Sequence, residues 1–292
     1  MNPTFYINHE TCSKCGICVE VCPALVLGKN EQKDVDFIEQ NLDLCLQCGQ
    51  CMAVCKTKSI HTNGMTYEND FFEFTEKEPF MSLVEQRRSV RHFKAKPLEQ
   101  EVLDKLIYTI SMTPHGDSHP HVEITVINNR NKIMEALPLF VSFYKKMGGW
   151  LHNPFMRYMI KKNAGDDVLK TLKYHILPRI EKGVYRDFNY EYDGITRGTH
   201  TLLLFHAPKD AEEHKEDAMI MVTYAMLAAQ SLGLGATIIG LVPPALNKNK
   251  IIRRIFHIPD DHETVISLIV GYPKYKYLRG IKRNLKRVEI FN

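Results

Sequence analysis

Outside two short runs near its N-terminal end, the chain has no cysteine: all eight lie between positions 12 and 55. The sequence also lacks a P-loop and a G-x-S-x-G nucleophile elbow. A dinucleotide fingerprint is missing as well, because Gly233 and Gly235 are followed next by Gly240, which is the wrong interval. Nothing at the N-terminus has the pattern of a signal peptide, so we expect a cytoplasmic location.

The chain has no hydrophobic run that predicts a membrane span. Residues 218–247 carry no charge, but Gly233, Gly235, Gly240 and the Pro243–Pro244 pair divide the run into pieces too short to cross a bilayer. The pattern instead predicts a buried helix, a turn and a buried strand. With 44% apolar and 25% charged residues in 292 positions, the composition is typical of a soluble globular protein of one large or two ordinary domains.

Charge is distributed unevenly along the chain. Residues 1–62 hold five lysines against seven carboxylates, whereas residues 274–292 hold seven Lys or Arg against Glu289 alone. A basic tail raises three interpretations: a nucleic-acid contact, a solvated surface, or a site for a small anion.

The cysteines form two runs with the spacing C-x2-C-x2-C-x3-C. Adjacent CxxC pairs without a secretion signal argue against disulfides, and two compact quartets are unusual for zinc. The spacing is typical of bacterial iron–sulfur ligation, in which the fourth cysteine of each run binds the other cluster. Gly16 and Gly49 would let the backbone approach the inorganic sulfides. The predicted quartets are Cys12, Cys15, Cys18 and Cys55, and Cys45, Cys48, Cys51 and Cys22.

The two runs resemble each other, CGICVEVCP against CGQCMAVCK, and together they resemble a bacterial-type two-cluster ferredoxin. We therefore predict a 2[4Fe-4S] ferredoxin-like domain over residues 1–62. Residues 63–80 show no clear period and are interpreted as a connector.

The remaining residues predict helices and strands in an irregular order. Ser82 and Glu85 fit a capping box, and apolar residues recur at helical spacing between Leu98 and Ile110. The predicted strands span 121–128, 199–207, 236–242 and 264–273, and further helices span 218–232 and 245–256. This mixture indicates an α+β or three-layer arrangement.

Three segments resemble the nitroreductase family in order and spacing: RRSVRHF from Arg87, LGLGATIIGLV at 232–242, and GYPKYKYLRGIKR at 271–283. The chain thus resembles a ferredoxin–nitroreductase fusion. The resemblance implies an FMN-binding domain over residues 81–292, built as a three-layer α/β/α domain with a mixed, mainly antiparallel sheet.

The resemblance also implies the FMN contacts. The segment from Arg87 would bind the phosphate, ribityl chain and pyrimidine edge, residues 113–121 would form a loop beside it, and two backbone N–H groups would reach flavin N5 and O4. Lys282 and Arg283 would bind the phosphate, with Arg279 as a substitute, which disfavours nucleic acid as the partner of the tail. The implied cofactor residues are Arg87, Arg88, Ser89, Arg91, Pro114, Gly116, Asp117, Ser118, Ile239, Gly240, Lys282 and Arg283.

Histidines and aromatic residues leave other interpretations open. His115, His119 and His121 could form a zinc site, although no cysteine remains to join them. His115 is instead a candidate proton donor to the flavin site. The aromatic residues of region 139–195, which include Tyr144, Trp150, Tyr158 and Tyr185, predict core or dimer packing, and this region is where the family builds a variable lid.

The implied function is an FMN-dependent oxidoreductase. Electrons from an external low-potential donor, reduced ferredoxin, would pass through two [4Fe-4S] clusters to FMN and then to a nitroaromatic, quinone or activated-alkene acceptor. The alternative donor is NAD(P)H, binding directly at the flavin. The resemblance implies a homodimer and no membrane partner. The alternative is a non-catalytic iron–sulfur and flavin subunit that transfers electrons to a partner protein.

Overall fold

The computed structural model describes residues 5–62, 64–74, 78–116, 120–181 and 193–291. The chain divides into two compact units, of which the first comprises Met1–Gln86 and Tyr275–Asn292 and the second comprises Arg87–Lys274. The second unit is therefore an insertion into the first, and the chain passes between them twice.

The described residues form ten strands and twelve α-helices, together with a 3-10 helix at Glu39–Leu44 and a π-helix at Leu172–Ile176. The strands are β1 (Tyr6–Ile7), β2 (Leu27–Lys29), β3 (Val35–Phe37), β4 (Ile60–His61), β5 (Phe71–Glu73), β6 (Glu123–Ile127), β7 (Thr201–Pro208), β8 (Gly235–Ile238), β9 (His262–Gly271) and β10 (Arg279–Ile281). The helices are α1 (Ile17–Val21), α2 (Gln50–Val54), α3 (Tyr67–Asp70), α4 (Pro79–Gln86), α5 (Gln100–Ser111), α6 (Arg130–His152), α7 (Pro154–Ala164), α8 (Asp166–Thr171), α9 (Leu177–Glu181), α10 (His214–Ser231), α11 (Val242–Lys248) and α12 (Lys250–Ile255).

The first unit is built from short elements around a small apolar core. Three two-stranded antiparallel sheets pair β1 with β4, β2 with β3, and β5 with β10. Helices α1 and α2 contact each other, and every residue of α2 is buried. Both helices begin after a glycine with left-handed backbone, Gly16 at φ 78° and Gly49 at φ 69°, so the internal repeat of the sequence is also a repeat of backbone conformation.

The last strand of the chain belongs to this first unit. Arg279, Gly280 and Ile281 of β10 pair with Glu73, Phe72 and Phe71 of β5. A Cβ atom on Gly280 would lie 1.9 Å from the Phe72 ring, so glycine is required for the two strands to approach this closely.

These contacts correct two sequence-based boundaries. The expected connector over 63–80 contains α3 and β5, and the expected FMN-binding domain over 81–292 includes a tail that is part of the cysteine-bearing unit. The sequence could not reveal this, because the pairing joins three-residue strands from distant parts of the chain.

The second unit contains an antiparallel sheet in the order β6-β7-β9-β8. All residues of β7 except the last are buried, in agreement with the apolar run at residues 202–205. Leu203 and Phe205 pack with α5 and α10 in one core cluster, in which alanines of α10 allow close packing. Leu202 and Leu204 point to the other face and are also buried, so the sheet is covered on both faces. The expected α+β class is confirmed.

Three predicted elements differ from the structure. The predicted helix 245–256 is two helices, because the Asn249 side chain caps α12 by accepting from Ile251 N at 2.9 Å and Ile252 N at 3.3 Å. The predicted strand 236–242 ends at Ile238, where α11 soon follows. Ser82 does not cap a helix, because α4 begins at Pro79 and places Ser82 inside its first turns.

Over the residues described here, none of the helices combines the length and apolar character that crossing a bilayer requires.

We predict that a fragment of residues 87–274 folds without the rest of the chain. It contains its own core, and its ends pair with each other, since Lys94 N donates to Tyr272 O at 2.8 Å and Lys274 N donates to His92 O at 2.9 Å. Urea unfolding followed by far-UV circular dichroism should be cooperative. A longer fragment of residues 81–292 should have the same unfolding free energy. It adds β10 but not β5, so the added tail has no strand with which to pair. Non-cooperative unfolding of the 87–274 fragment would contradict this division of the chain.

Candidate functional site

Two cavities in the first unit are lined by the cysteines. The first is lined by Cys12, Cys15, Cys18 and Cys55, with Ile7, Ile17, Val54 and Ile60 among its apolar neighbours. The second is lined by Cys22, Cys45, Cys48 and Cys51. The fourth cysteine of each run thus lines the cavity of the other run, and the structure brings together the same quartets that the sequence predicted.

The two cysteine loops share a backbone conformation that turns three thiols toward one cavity. Lys14 and Gln47, each directly before the second cysteine of its run, both have positive φ, 53° and 46°. Gly16 and Gly49, directly after that cysteine, are also left-handed. Two left-handed residues around one cysteine bend the loop tightly before the following helix carries the third cysteine. The conformation of each loop depends on a few consecutive residues, which is why the cysteine spacing alone predicted the quartets.

Burial makes free thiolates unfavourable in both cavities. It raises the pKa of the Cys18 thiol to about 12, with further upward contributions from Cys55 and Cys15. Burial also raises the pKa of Cys51, and the neighbouring Cys22 adds to that rise. The Cys18 and Cys51 thiols therefore become thiolates only if a cationic centre compensates for burial and repulsion. The donor set fits a metal or metal–sulfur centre in each cavity.

Cys55 differs from the other buried thiols. Burial pushes its pKa upward, but hydrogen bonds from the Thr57 hydroxyl and the Ser59 and Ile60 backbone amides outweigh that effect, so the net pKa lies below its ordinary value. The Ser59 N–H donates to Cys55 Sγ at 3.3 Å. Donors to sulfur stabilise its anionic form and therefore a metal-bound thiolate.

In the second unit, the arginine-rich segment 87–91 lies along β8. Ser89 forms a parallel bridge with Ala236, and Val90 N donates to Ala236 O at 3.1 Å. A Cβ atom on Gly235 would lie 2.6 Å from Val90 Cβ, so this glycine permits the close approach. These contacts hold the segment beside β8, which is followed directly by Ile239 and Gly240. The segment contains the predicted cofactor residues Arg87, Arg88, Ser89 and Arg91.

The two backbone groups after β8 have different surroundings. Ile239 N donates to Ser267 O at 3.0 Å, and the Ser267 hydroxyl donates back to Ile239 O at 2.6 Å. The Ile239 amide is therefore engaged with β9, which disagrees with its predicted role as a donor to a flavin. Gly240 is exposed, and a Cβ atom there would meet nothing within 4 Å. The pairing with Ser267 spans distant positions and leaves no signal in the sequence.

The loop after α5 is fixed at Gly116. Its N–H donates to Asp217 Oδ1 at 3.0 Å, and a Cβ atom would collide with the Glu213 carboxylate. Pro114 and His115 precede it, and His115 is exposed. Asp117, Ser118 and His119 lie outside the described residues. The zinc interpretation of His115, His119 and His121 stays a prediction for that reason.

Lys282 and Arg283 belong to the first unit, whereas the arginine-rich segment belongs to the second. Lys282 N donates to Asp70 O at 2.9 Å, and its Nζ reaches Glu68 O at 3.4 Å. The substitute phosphate ligand, Arg279, is engaged with Glu73 and the Cys55 carbonyl. The predicted phosphate ligands are therefore divided between the two units, because the pairing of β10 with β5 makes the C-terminal tail part of the first unit.

In region 139–195, one of the described aromatic residues, Tyr144, contacts the turn after β8. Tyr144 of α6 is buried, and its hydroxyl donates to Leu241 O at 2.7 Å, directly after Gly240. Tyr144 thus positions the turn after β8, a role that the general expectation of core or dimer packing did not include. Trp150 and Tyr158 are exposed, and Tyr185 lies outside the described residues.

Apart from the cysteine quartets, a group of three potential metal ligands lies in the second unit: Glu123, His206 and His262. His206 Nδ1 and His262 Nδ1 are 2.9 Å apart, and Thr125 Oγ1 is 3.0 Å from His206 Nε2. Burial, His262 and the Arg253 charge lower the pKa of His206 to about 4. A hydrogen bond between the two imidazoles accounts for this geometry without an ion, so we interpret it as core structure.

Residues 84–272 match the nitroreductase family, and residues 4–62 match the 4Fe-4S dicluster domain. The chain belongs to the nitroreductase family, and no curated protein matches it.

Three solved structures share the fold at low sequence identity. A nitroreductase with bound FMN from Bacteroides fragilis is 17% identical with TM-score 0.54, over 74% of this chain and 100% of that one. An FMN-dependent nitroreductase from Clostridium difficile is 18% identical with TM-score 0.51, over 74% and 100%. A nitroreductase with bound FMN from Desulfitobacterium hafniense is 15% identical with TM-score 0.52, over 73% and 100%.

We predict that Gly235→Ala destabilises the second unit by about 1–3 kcal/mol, because the added methyl group overlaps Val90. Gly149→Ala is the matched control: it lies in α6, has open space around it, and should be neutral or slightly stabilising. The free energy of urea unfolding of both variants measures the difference. Equal stabilities would mean that the arginine-rich segment does not pack against β8 as described.

Proposed function

We propose that the chain is an FMN-dependent oxidoreductase. It would take electrons from an external low-potential donor, through two [4Fe-4S] clusters, to FMN and then to a nitroaromatic, quinone or activated-alkene acceptor. The observation that carries the proposal is the pair of four-cysteine cavities in one chain with a nitroreductase-family domain. Reduced ferredoxin or NAD(P)H is the proposed donor, and a cytoplasmic homodimer is the proposed form.

The cysteines would hold the clusters in crossed quartets. Soft thiolates suit iron–sulfur centres, and the apolar lining of each cavity would limit solvent contact. The left-handed glycines remove side chains from the loops that face each cavity. Zinc bound by four thiolates is the competing occupant, and it would carry no electrons.

The flavin site would form around the segment 87–91 and the turn after β8. FMN is proposed because the Bacteroides fragilis and Desulfitobacterium hafniense structures contain it and because a bound flavin couples single-electron carriers to two-electron reduction. Arg87, Arg88 and Arg91 supply positive charge for a phosphate or the pyrimidine edge, with Ser89 as a neutral donor.

Gly240 offers a backbone N–H beside open space, and the loop from Pro114 to Gly116, continuing through Asp117 and Ser118, would border the same site. His115 is exposed and remains the proposed proton donor. Tyr144 would keep the turn after β8 in place through its bond to Leu241 O.

The first test measures what the purified protein holds. An anaerobic preparation should contain about eight iron atoms and eight acid-labile sulfides per chain, as two cubane clusters require. FMN should copurify, and Arg87→Ala should weaken its binding, because a charge-assisted contact contributes about 1.5–3 kcal/mol. Glu85→Gln is a control outside the proposed site. Stoichiometric zinc without iron would contradict the cluster assignment, and the absence of any flavin would contradict the FMN assignment.

The second test follows the electrons. Cys15→Ser and Cys48→Ser each remove one ligand, and both variants should reduce a nitroaromatic acceptor more slowly when reduced ferredoxin is the donor. The same variants should retain wild-type rates when dithionite reduces the flavin directly. Wild-type rates with reduced ferredoxin would contradict the proposed route. A wild-type protein that reduces no small acceptor would instead favour the non-catalytic electron-transfer role.

A further inference from the structure

The C-terminal residues that join the first unit lie beyond both family matches, which end at residues 62 and 272. We name residues 275–281 the C-terminal strap. It contacts the cysteine-bearing helix α2 and the residue that follows it in three places. Tyr277 donates to Gln50 Oε1 at 2.6 Å, Leu278 N donates to Ala53 O at 3.2 Å, and Arg279 Nη1 donates to Cys55 O at 2.7 Å.

Arg279 is held by contacts on several sides. Its side chain is 8% exposed, and its Nε lies 3.1 Å from Glu73 Oε1. The guanidinium carbon lies 5.6 Å from the centroid of the Tyr67 ring, within the range of a cation–π contact. Strand pairing of β10 with β5 fixes the backbone on which Arg279 sits. These contacts therefore hold the Arg279 guanidinium in one position, beside the carbonyl of Cys55.

The charge of Arg279 is unevenly compensated. Glu73 is 65% exposed, so water screens the carboxylate, whereas the guanidinium is buried beside Cys55. Cys55 lines the cavity that also holds Cys12, Cys15 and Cys18. Reduction of a centre in that cavity adds one negative charge, and a buried cation close by stabilises the added charge.

We propose that the C-terminal strap positions Arg279 so that its charge raises the reduction potential of the cluster held by Cys12, Cys15, Cys18 and Cys55 more than that of the other cluster. This inference rests on the proposed function, because it requires a cluster in that cavity. Arg279 is a positioning residue, since it acts through the Cys55 carbonyl and does not touch the cavity sulfurs. The tail of the chain would thus set the relative potentials of the two clusters.

The test is a potentiometric titration of the full-length holoprotein, followed by electron paramagnetic resonance, with iron determined for every variant. Arg279→Gln should lower one of the two midpoint potentials. At the wild-type midpoint of that cluster, the ratio of reduced to oxidised protein should fall about tenfold, which equals 59 mV for one electron. Arg279→Lys keeps the charge and should shift the potential less. Glu73→Gln removes the opposing charge and should shift the same midpoint upward.

The outcomes separate this inference from the function on which it rests. Unchanged potentials in Arg279→Gln with full iron content would overturn it, as would an equal shift of both midpoints. If Arg279→Gln loses iron, the Glu73→Gln variant provides the test, because the Glu73 side chain is largely exposed and its replacement should leave the fold intact. An upward shift of one midpoint potential in that variant supports the inference, and no shift overturns it. A wild-type protein without iron would contradict the proposed function instead.

Discussion

The pairing of β10 with β5 determines how this chain is organised. It joins the last strand to a strand that precedes the whole second unit, so the first unit is completed only after the chain has passed through the second. The second unit makes this closure easier, because residues 92–94 pair with residues 272–274 and hold its two ends side by side. With these two ends side by side, only the short segments that lead from them to β5 and β10 have to close. The entropy cost of pairing the two strands is then smaller than their separation in sequence implies.

The sequence was informative wherever the determining contacts are local. The spacing of the cysteines and the two glycines sufficed to predict which four thiols line each cavity, because each loop is set by a few consecutive backbone angles. Helix α5 and strand β7 were also predicted near their observed bounds, since a helical apolar period and a buried apolar run are properties of the segment itself.

The sequence was uninformative where a contact joins distant segments. Lys282 stands in a basic run that resembles a phosphate-binding tail, but strand pairing places it at Asp70 and Glu68. The Ile239 amide resembles a flavin donor by position, but Ser267 of β9 accepts its hydrogen bond. Neither partner can be read from composition or period, because each depends on the register of a strand pair.

The two candidate sites are built on different principles, and this bears on function. The cysteine cavities come from two contiguous runs and fit a soft metal–sulfur centre by donor chemistry alone. The proposed flavin site would instead draw on three separated segments, 87–91, 113–116 and the turn after β8, whose positions depend on Gly235, Asp217 and Tyr144.

The most direct test is spin quantitation by electron paramagnetic resonance at low temperature. The sample is the full-length protein, purified anaerobically and then reduced with dithionite. Two [4Fe-4S] clusters per chain predict about two unpaired spins per chain, with line broadening because the clusters interact magnetically. About one spin per chain would mean that only one cysteine quartet holds a cluster. No signal, together with bound zinc, would contradict the assignment of the eight cysteines to electron transfer.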